Sequence, residues 1–166
     1  MHPSLMYFVG HYMGDSSGDV IELGSLDVNG SIRDVVNVTV GIDIQEGKGV
    51  DIVMNACETI ERFGEESFDA VVSADAIEHS EEWKCFIQNM IGLLKTGNTM
   101  LLTAASPKKG RHNYPNDYWR FTKKMWGQIF EHQELVAYYE HNISNGVVVR
   151  KLDNRLNLDF EPLRVK

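Results

Sequence analysis

The sequence is poor in the residues that would announce several kinds of protein. It has only two cysteines, Cys57 and Cys85, without Cys-x-x-Cys spacing or neighbouring metal-ligand pattern. Neither a zinc site nor a disulfide framework is indicated, and a reducing compartment suits such thiols. No run approaches the ~20 apolar residues of a membrane span, and the apolar patch from Leu5 to Val9 has no basic n-region before it. A cytoplasmic protein without membrane attachment is expected. Positive charge is scarce: 16 Lys and Arg stand against 24 Asp and Glu, a formal charge of −8. That balance lacks the basic field that neutralises nucleic-acid phosphates, so no nucleic-acid partner is expected. Lys108, Lys109, Arg111 and His112 form the one basic strip, which reads as a solvated loop. Repeats and low-complexity tracts are absent too, as is any Gly-x-Gly-x-x-Gly turn.

What is present is a rhythm of short apolar runs and helix-like segments. With 166 residues and 43% hydrophobic content, a single domain over 1–152 is expected, followed by a charged tail over 153–166. Val20 to Leu23, Val38 to Ile44, Asp51 to Met54, Phe68 to Ser73 and Thr99 to Ala104 read as buried parallel strands. Gly30 to Val36, Glu81 to Leu94 and Phe121 to His132 read as helices, the last two with Ser80 and Thr122 as N-caps. Leu135 to His141 and Val147 to Leu152 read as an antiparallel pair joined through Asn145-Gly146, a hairpin-turn signal. This alternation predicts an α/β sheet with right-handed crossovers.

One strand-turn-strand unit carries chemistry. Glu22-Leu23-Gly24 ends the first strand, and about 20 residues on, Asp43 ends the second, where a carboxylate can accept hydrogen bonds from ribose hydroxyls. A dinucleotide site needs glycines that let the backbone approach a pyrophosphate. Here Leu26 holds the second glycine's place, and Asp27 would set a carboxylate against the phosphates. A nicotinamide-dependent oxidoreductase is therefore disfavoured. S-adenosylmethionine, which has an adenosine, an amino acid and a sulfonium but no phosphate, is compatible with this loop.

From about Asp19 to about Tyr138 the chain resembles the class I S-adenosylmethionine-dependent methyltransferases. Glu22-x-Gly24 is similar to their first motif and Asp43 to their ribose-binding acid. Val50 to Ala56 is similar to the third-strand segment that ends beside adenine, and Ser67 to His79 to the fourth strand with its following Glu-His. Leu93-Leu94-Lys95-Thr96-Gly97-Asn98 is similar to the family's Leu-Leu-Lys-Pro-Gly-Gly turn, and His112-x-Tyr114-Pro115-x-Asp117-Tyr118-Trp119-Arg120-Phe121 to one subgroup's substrate loop. The resemblance implies a Rossmann-like, doubly wound, mostly parallel sheet of seven strands in the order 3-2-1-4-5-7-6. It implies S-adenosyl-L-methionine as cofactor, held by Glu22, Gly24, Ser25, Leu26, Asp43, Ile44, Asn55, Ala56, Ser73 and Ala74.

The loop from Gly110 to Phe121 lies just past a strand's carboxyl end, where open α/β sheets bind ligands. His112 is the candidate general base, with Asp117 as its orienter or substitute and His79 in reserve. Tyr114, Trp119 and Arg120 are candidate substrate contacts; the alternative is a loop packed by its aromatics, with Arg120 paired to Asp117. No compact Asp/Asn cluster argues for a metal. The expected acceptor is a small or sugar-like molecule, methylated at oxygen or nitrogen. The competing reading, motivated by Leu26 and the missing glycines, is a degenerate fold that binds the cofactor weakly or not at all. Oligomeric state is not legible.

Overall fold

In the computed structural model, residues 1–112 and 116–165 are described. Five strands run in parallel: β1 (Val20–Leu23), β2 (Val40–Asp43), β3 (Ile52–Val53), β4 (Phe68–Ser73) and β5 (Leu94–Ala105). Two antiparallel strands complete the sheet, β7 (Glu134–Glu140) and β8 (Ser144–Arg150). The seven-stranded order is β3-β2-β1-β4-β5-β8-β7. It is the expected order once β6 (Trp119–Arg120) is set aside, since that strand pairs elsewhere, with β9 (Leu163–Arg164).

The sheet is buried on both faces, as parallel sheets require. On one face Ile21, Leu23, Val71, Met100 and Leu102 join Trp83, Phe86, Ile87 and Met90 of helix α3 (Trp83–Leu93) and Trp126 and Ile129 of helix α4 (Lys123–Ile129). On the other face Val20, Val72, Leu101 and Val148 pack with Leu5, Val9 and Met13 of helix α1 (Pro3–Met13). The sequence reading saw only an apolar patch in α1. The spacing of Leu5, Val9 and Met13 puts all three on one helical face, and His2 caps the helix by accepting from Ser4 N at 3.2 Å. A short helix α2 (Thr59–Phe63) was also not anticipated.

Three expectations need correction. The helix expected over Gly30 to Val36 is one 3-10 turn, Ile32–Asp34; glycine, serine, aspartate and β-branched valines propagate a helix poorly. Asn145-Gly146 is not the hairpin turn but lies within β8, opposite Ala104 and Thr103 of β5. A Cβ on Gly146 would stand 2.2 Å from the Leu102 carbonyl oxygen, so the glycine permits close strand approach rather than a turn. Asn145 is buried, accepting from Trp126 Nε1 at 2.6 Å and donating to the Phe121 carbonyl at 3.0 Å. The two cysteines, for which spacing indicated no pairing, are brought together as a disulfide with Cα atoms 5.4 Å apart.

Residues 153–165 return to the body of the fold. Leu156, Leu158 and Phe160 pack on the core, Phe160 against Trp83, and β9 pairs with β6. Among the described residues, no helix is long and apolar enough to cross a membrane.

Candidate active site

The parallel strands deliver their carboxyl ends to a cavity of about 980 Å³, the position at which open α/β sheets bind ligands. Gly24 makes the bend out of β1. Its φ is +81°, and a Cβ there would meet Ala76 Cβ at 2.2 Å. Only glycine fits both demands. The amides of Gly24 and Ser25 both donate to the Ile42 carbonyl at 2.9 Å, tying the loop to the neighbouring strand. Leu26 N donates to Asp43 Oδ2 at 3.3 Å and Gln45 N to Oδ1 at 3.0 Å. These bonds fix the Asp43 carboxylate at the cavity wall, with lone pairs left for hydroxyl donors.

Leu26 does not point back at Gly24. A Cβ on Gly47 would fall 2.3 Å from Leu26 Cδ1, so the leucine packs against the loop between β2 and β3. Asp27 is paired outward with Lys48 at 2.6 Å. Asn55 caps a 3-10 turn through Cys57 N at 3.0 Å.

Seven of the ten residues expected at the cofactor line the cavity: Gly24, Leu26, Asp43, Ile44, Asn55, Ala56 and Ala74. Glu22, Ser25 and Ser73 do not. They are buried behind it, each with a side-chain oxygen that lacks a hydrogen-bond partner among the described residues. Burial pushes the Glu22 carboxyl up to about 8, with Arg33 opposing the rise.

At the opposite wall the loop after β4 and the loop after β5 converge. Asp75, at φ +52°, accepts from Thr103 Oγ1 at 2.8 Å, which sets the turn that presents Glu78 and His79. His79 Nδ1 must donate, because its partner is the Asn116 carbonyl oxygen. His112 is held on the other side: its amide donates to Asp117 Oδ2 at 2.9 Å, and its Nδ1 stands 2.9 Å from the same oxygen. The two imidazoles meet edge to face, Nε2 to Nε2, at 3.2 Å. Burial holds both below the usual histidine range, His112 at about 4. Glu78 is fully buried, neither of its carboxylate oxygens has a partner among the described residues, and desolvation followed by the nearby Asp75 pushes it up to about 8.

His79 and His112 line the cavity; Asp117, Trp119 and Arg120 do not. The Arg120 guanidinium is consumed by Asp117, by the Trp119 carbonyl at 2.8 Å and by the Gly110 carbonyl at 3.1 Å. Trp119 is buried and donates to the Ser80 carbonyl at 2.9 Å. Both residues staple the loop that carries His112, the arrangement of the alternative in which Arg120 pairs with Asp117. Burial opposes ionisation of Asp117, but Arg120 and the His112 amide hold its carboxyl below the usual range. Tyr114 lies outside the described residues. Met54, Phe86 and Lys109, none of them a candidate from sequence, also wall the cavity, and so does Glu78 of the Glu-His pair. Of these only Glu78, in its Glu-His pair after a strand, carried a signal.

Residues 26–102 match the family model described as a methyltransferase domain. That match spans somewhat less than half of the chain, and the seven-stranded sheet is the fold of the class I methyltransferases. Among solved structures the chain is similar to 1,6-didemethyltoxoflavin-N1-methyltransferase of Burkholderia thailandensis, crystallised with 1,6-didemethyltoxoflavin and S-adenosylhomocysteine. The TM-score is 0.70 and the identity 12%, over 91% of this chain and 78% of that one. It is similar also to a SAM-dependent methyltransferase of Archaeoglobus fulgidus, with TM-score 0.67 and 12% identity over 89% and 93% of the two chains. The [4+2]-cyclase SpnF matches with TM-score 0.67 and 12% identity over 90% and 81%. Its name shows that the fold also occurs in a cyclase, so chemistry must be argued from the site. No curated protein matches the chain in sequence.

Proposed function

We propose that the chain transfers a methyl group from S-adenosylmethionine to a small acceptor. One observation carries the reading: the Gly24 bend and the Asp43 carboxylate open onto the same cavity as Glu78, His79 and His112. Asp43 and Asn55 would hold the ribose and adenine ends, and Gly24 would admit the methionine. The sulfonium would then face the imidazole wall. A cavity of about 980 Å³ stands at the upper end of the ~300–1,000 Å³ usual for ligand pockets. That leaves room for an acceptor beside the cofactor but not for a large polymer.

Methyl transfer is an in-line displacement at a carbon already activated by its sulfonium. The protein's part is to align acceptor, methyl and sulfur, an arrangement that supplies roughly 7–11 kcal/mol of barrier lowering. The acceptor atom, an oxygen or nitrogen, lies against the His79–His112 edge, whose electron pairs assist the loss of its proton. Asp117 and Arg120 act behind His112, as positioning residues.

The test is S-adenosylhomocysteine release with a panel of hydroxyl- and amine-bearing small molecules. Turnover that falls at least a hundredfold in His112→Ala, with cofactor affinity kept, supports the reading. The second reading, a cofactor-poor binding module, draws on the single 3-10 turn that stands where a full helix was expected after the Gly24 loop. It predicts no turnover with any acceptor and no cofactor binding.

A further inference from the structure

We infer that Glu78, His79 and His112 form a binding site for a divalent first-row transition-metal ion at the acceptor end of the cavity, and that this ion receives the acceptor's oxygen. The inference deepens the methyltransferase reading and rests on it for the acceptor's role, but not for the metal itself.

Proton positions on the two imidazoles decide where their electron pairs lie. His79 Nδ1 faces a carbonyl oxygen and so carries a proton. His112 Nδ1 stands 2.9 Å from Asp117 Oδ2 without a hydrogen bond between them; a small turn of the ring toward that oxygen would seat its proton on Nδ1. In each neutral ring the electron pair is then left on Nε2. Those two nitrogens are 3.2 Å apart. Two lone pairs at that separation repel unless a shared proton or a metal ion lies between them.

A metal ion fits the spacing. Two nitrogens each about 2.0–2.1 Å from one tetrahedral ion stand about 3.3–3.4 Å apart. Glu78 supplies the third donor: its oxygen and the two imidazole nitrogens lie within 4.8 Å of one another. The carboxyl is fully buried and among the described residues neither oxygen has a partner, so its ionised form costs several kcal/mol unless a cation compensates it and the group otherwise keeps its proton. The outer partners complete the pattern. Metal-bound histidines present their other nitrogen to a carbonyl or a carboxylate, as His79 does to Asn116 and His112 to Asp117. Lys109 and Arg120 are cations that oppose the site, and Asp75 and Asp117 are carboxylates that favour it. Mixed imidazole and carboxylate donors suit zinc, iron, cobalt or manganese rather than calcium.

Three protein donors leave open positions, and His79 and His112 both line the cavity. An acceptor hydroxyl placed there becomes more acidic on the metal. Its O–H bond breaks and the proton passes to solvent. The freed oxygen pair forms the new C–O bond as the S–C bond breaks, and S-adenosylhomocysteine leaves with the S–C electrons. In this state the imidazoles are ligands and not bases.

The experiment uses chelator-treated protein without cofactor, titrated with zinc by calorimetry and with cobalt by visible absorption. One equivalent should bind, with the ligand-field band of a four- or five-coordinate ion. Affinity should drop at least tenfold in Glu78→Gln and about a hundredfold in His79→Ala or His112→Ala, while His141→Ala and Asp43→Asn leave it unchanged. If a histidine variant does not fold, the cobalt spectra of the wild type and Glu78→Gln decide the matter. No stoichiometric binding, or binding indifferent to all three ligand variants, overturns the site and leaves the imidazoles as bases. Loss of S-adenosylmethionine binding with metal binding intact would refute the methyltransferase reading alone.

Discussion

The most quantitative consequence of the fold concerns Glu22. It sits in the centre of the sheet, 3% exposed, with one carboxylate oxygen lacking a partner. Burial raises it from 4.5 to about 8. The folded protein therefore keeps a proton that the unfolded chain releases as pH rises above about 4.5. Unfolding then releases protons between the two values, so stability falls as pH climbs through that window and levels off above about 8. At 1.36 kcal/mol per pH unit the loss attributable to Glu22 is at most about 5 kcal/mol, and about 2–3 once relaxation and water entry are allowed for. Glu22→Gln keeps the shape and removes the titration. Urea unfolding from pH 5 to 9 in the presence of chelator should show the variant level with the wild type at pH 5 and more stable by about 2–5 kcal/mol at pH 9. Glu78, raised in the same direction, leaves a residual slope in the variant. A variant whose stability falls as steeply as the wild type's would refute the argument.

Other consequences are equally open to test. Gly24→Ala forces a Cβ to within 2.2 Å of Ala76 Cβ at a positive φ, so thermal unfolding should show a loss of about 2 kcal/mol or more. Asp117→Asn strands the buried Arg120 guanidinium and should cost about 3–5 kcal/mol by urea titration. Asn145→Ala removes the partners of Trp126 Nε1 and the Phe121 carbonyl, for about 2–4 kcal/mol by the same assay.

Much of the sheet was legible because its strands are short, apolar and bounded by turn residues. Val20 to Leu23 and Phe68 to Ser73 are found with the bounds expected. Asn145-Gly146 misled because the same small pair that closes a turn also permits two backbones to meet at close range. Local sequence does not separate those uses; the partner strand does. In the site, Gly24 and Asp43 were readable from strand ends alone. Glu78 was not, because its meaning lies in burial without a partner, which no local pattern reports. Trp119 and Arg120 looked like substrate contacts because aromatic and guanidinium groups crowd binding loops, yet the carbonyls of Ser80 and Gly110 take up their donors. The disulfide between Cys57 and Cys85 depends on α3 being laid against the turn after β3, a tertiary fact.

The most direct test of the central claim is calorimetric titration with S-adenosylmethionine and S-adenosylhomocysteine, repeated with Asp43→Asn, which retains the shape of the carboxylate that anchors Leu26 and Gln45. The account predicts micromolar binding of both, near −8 kcal/mol, weakened at least tenfold in the variant. A folded protein that binds neither ligand, or binds both with the same affinity after the substitution, would contradict it.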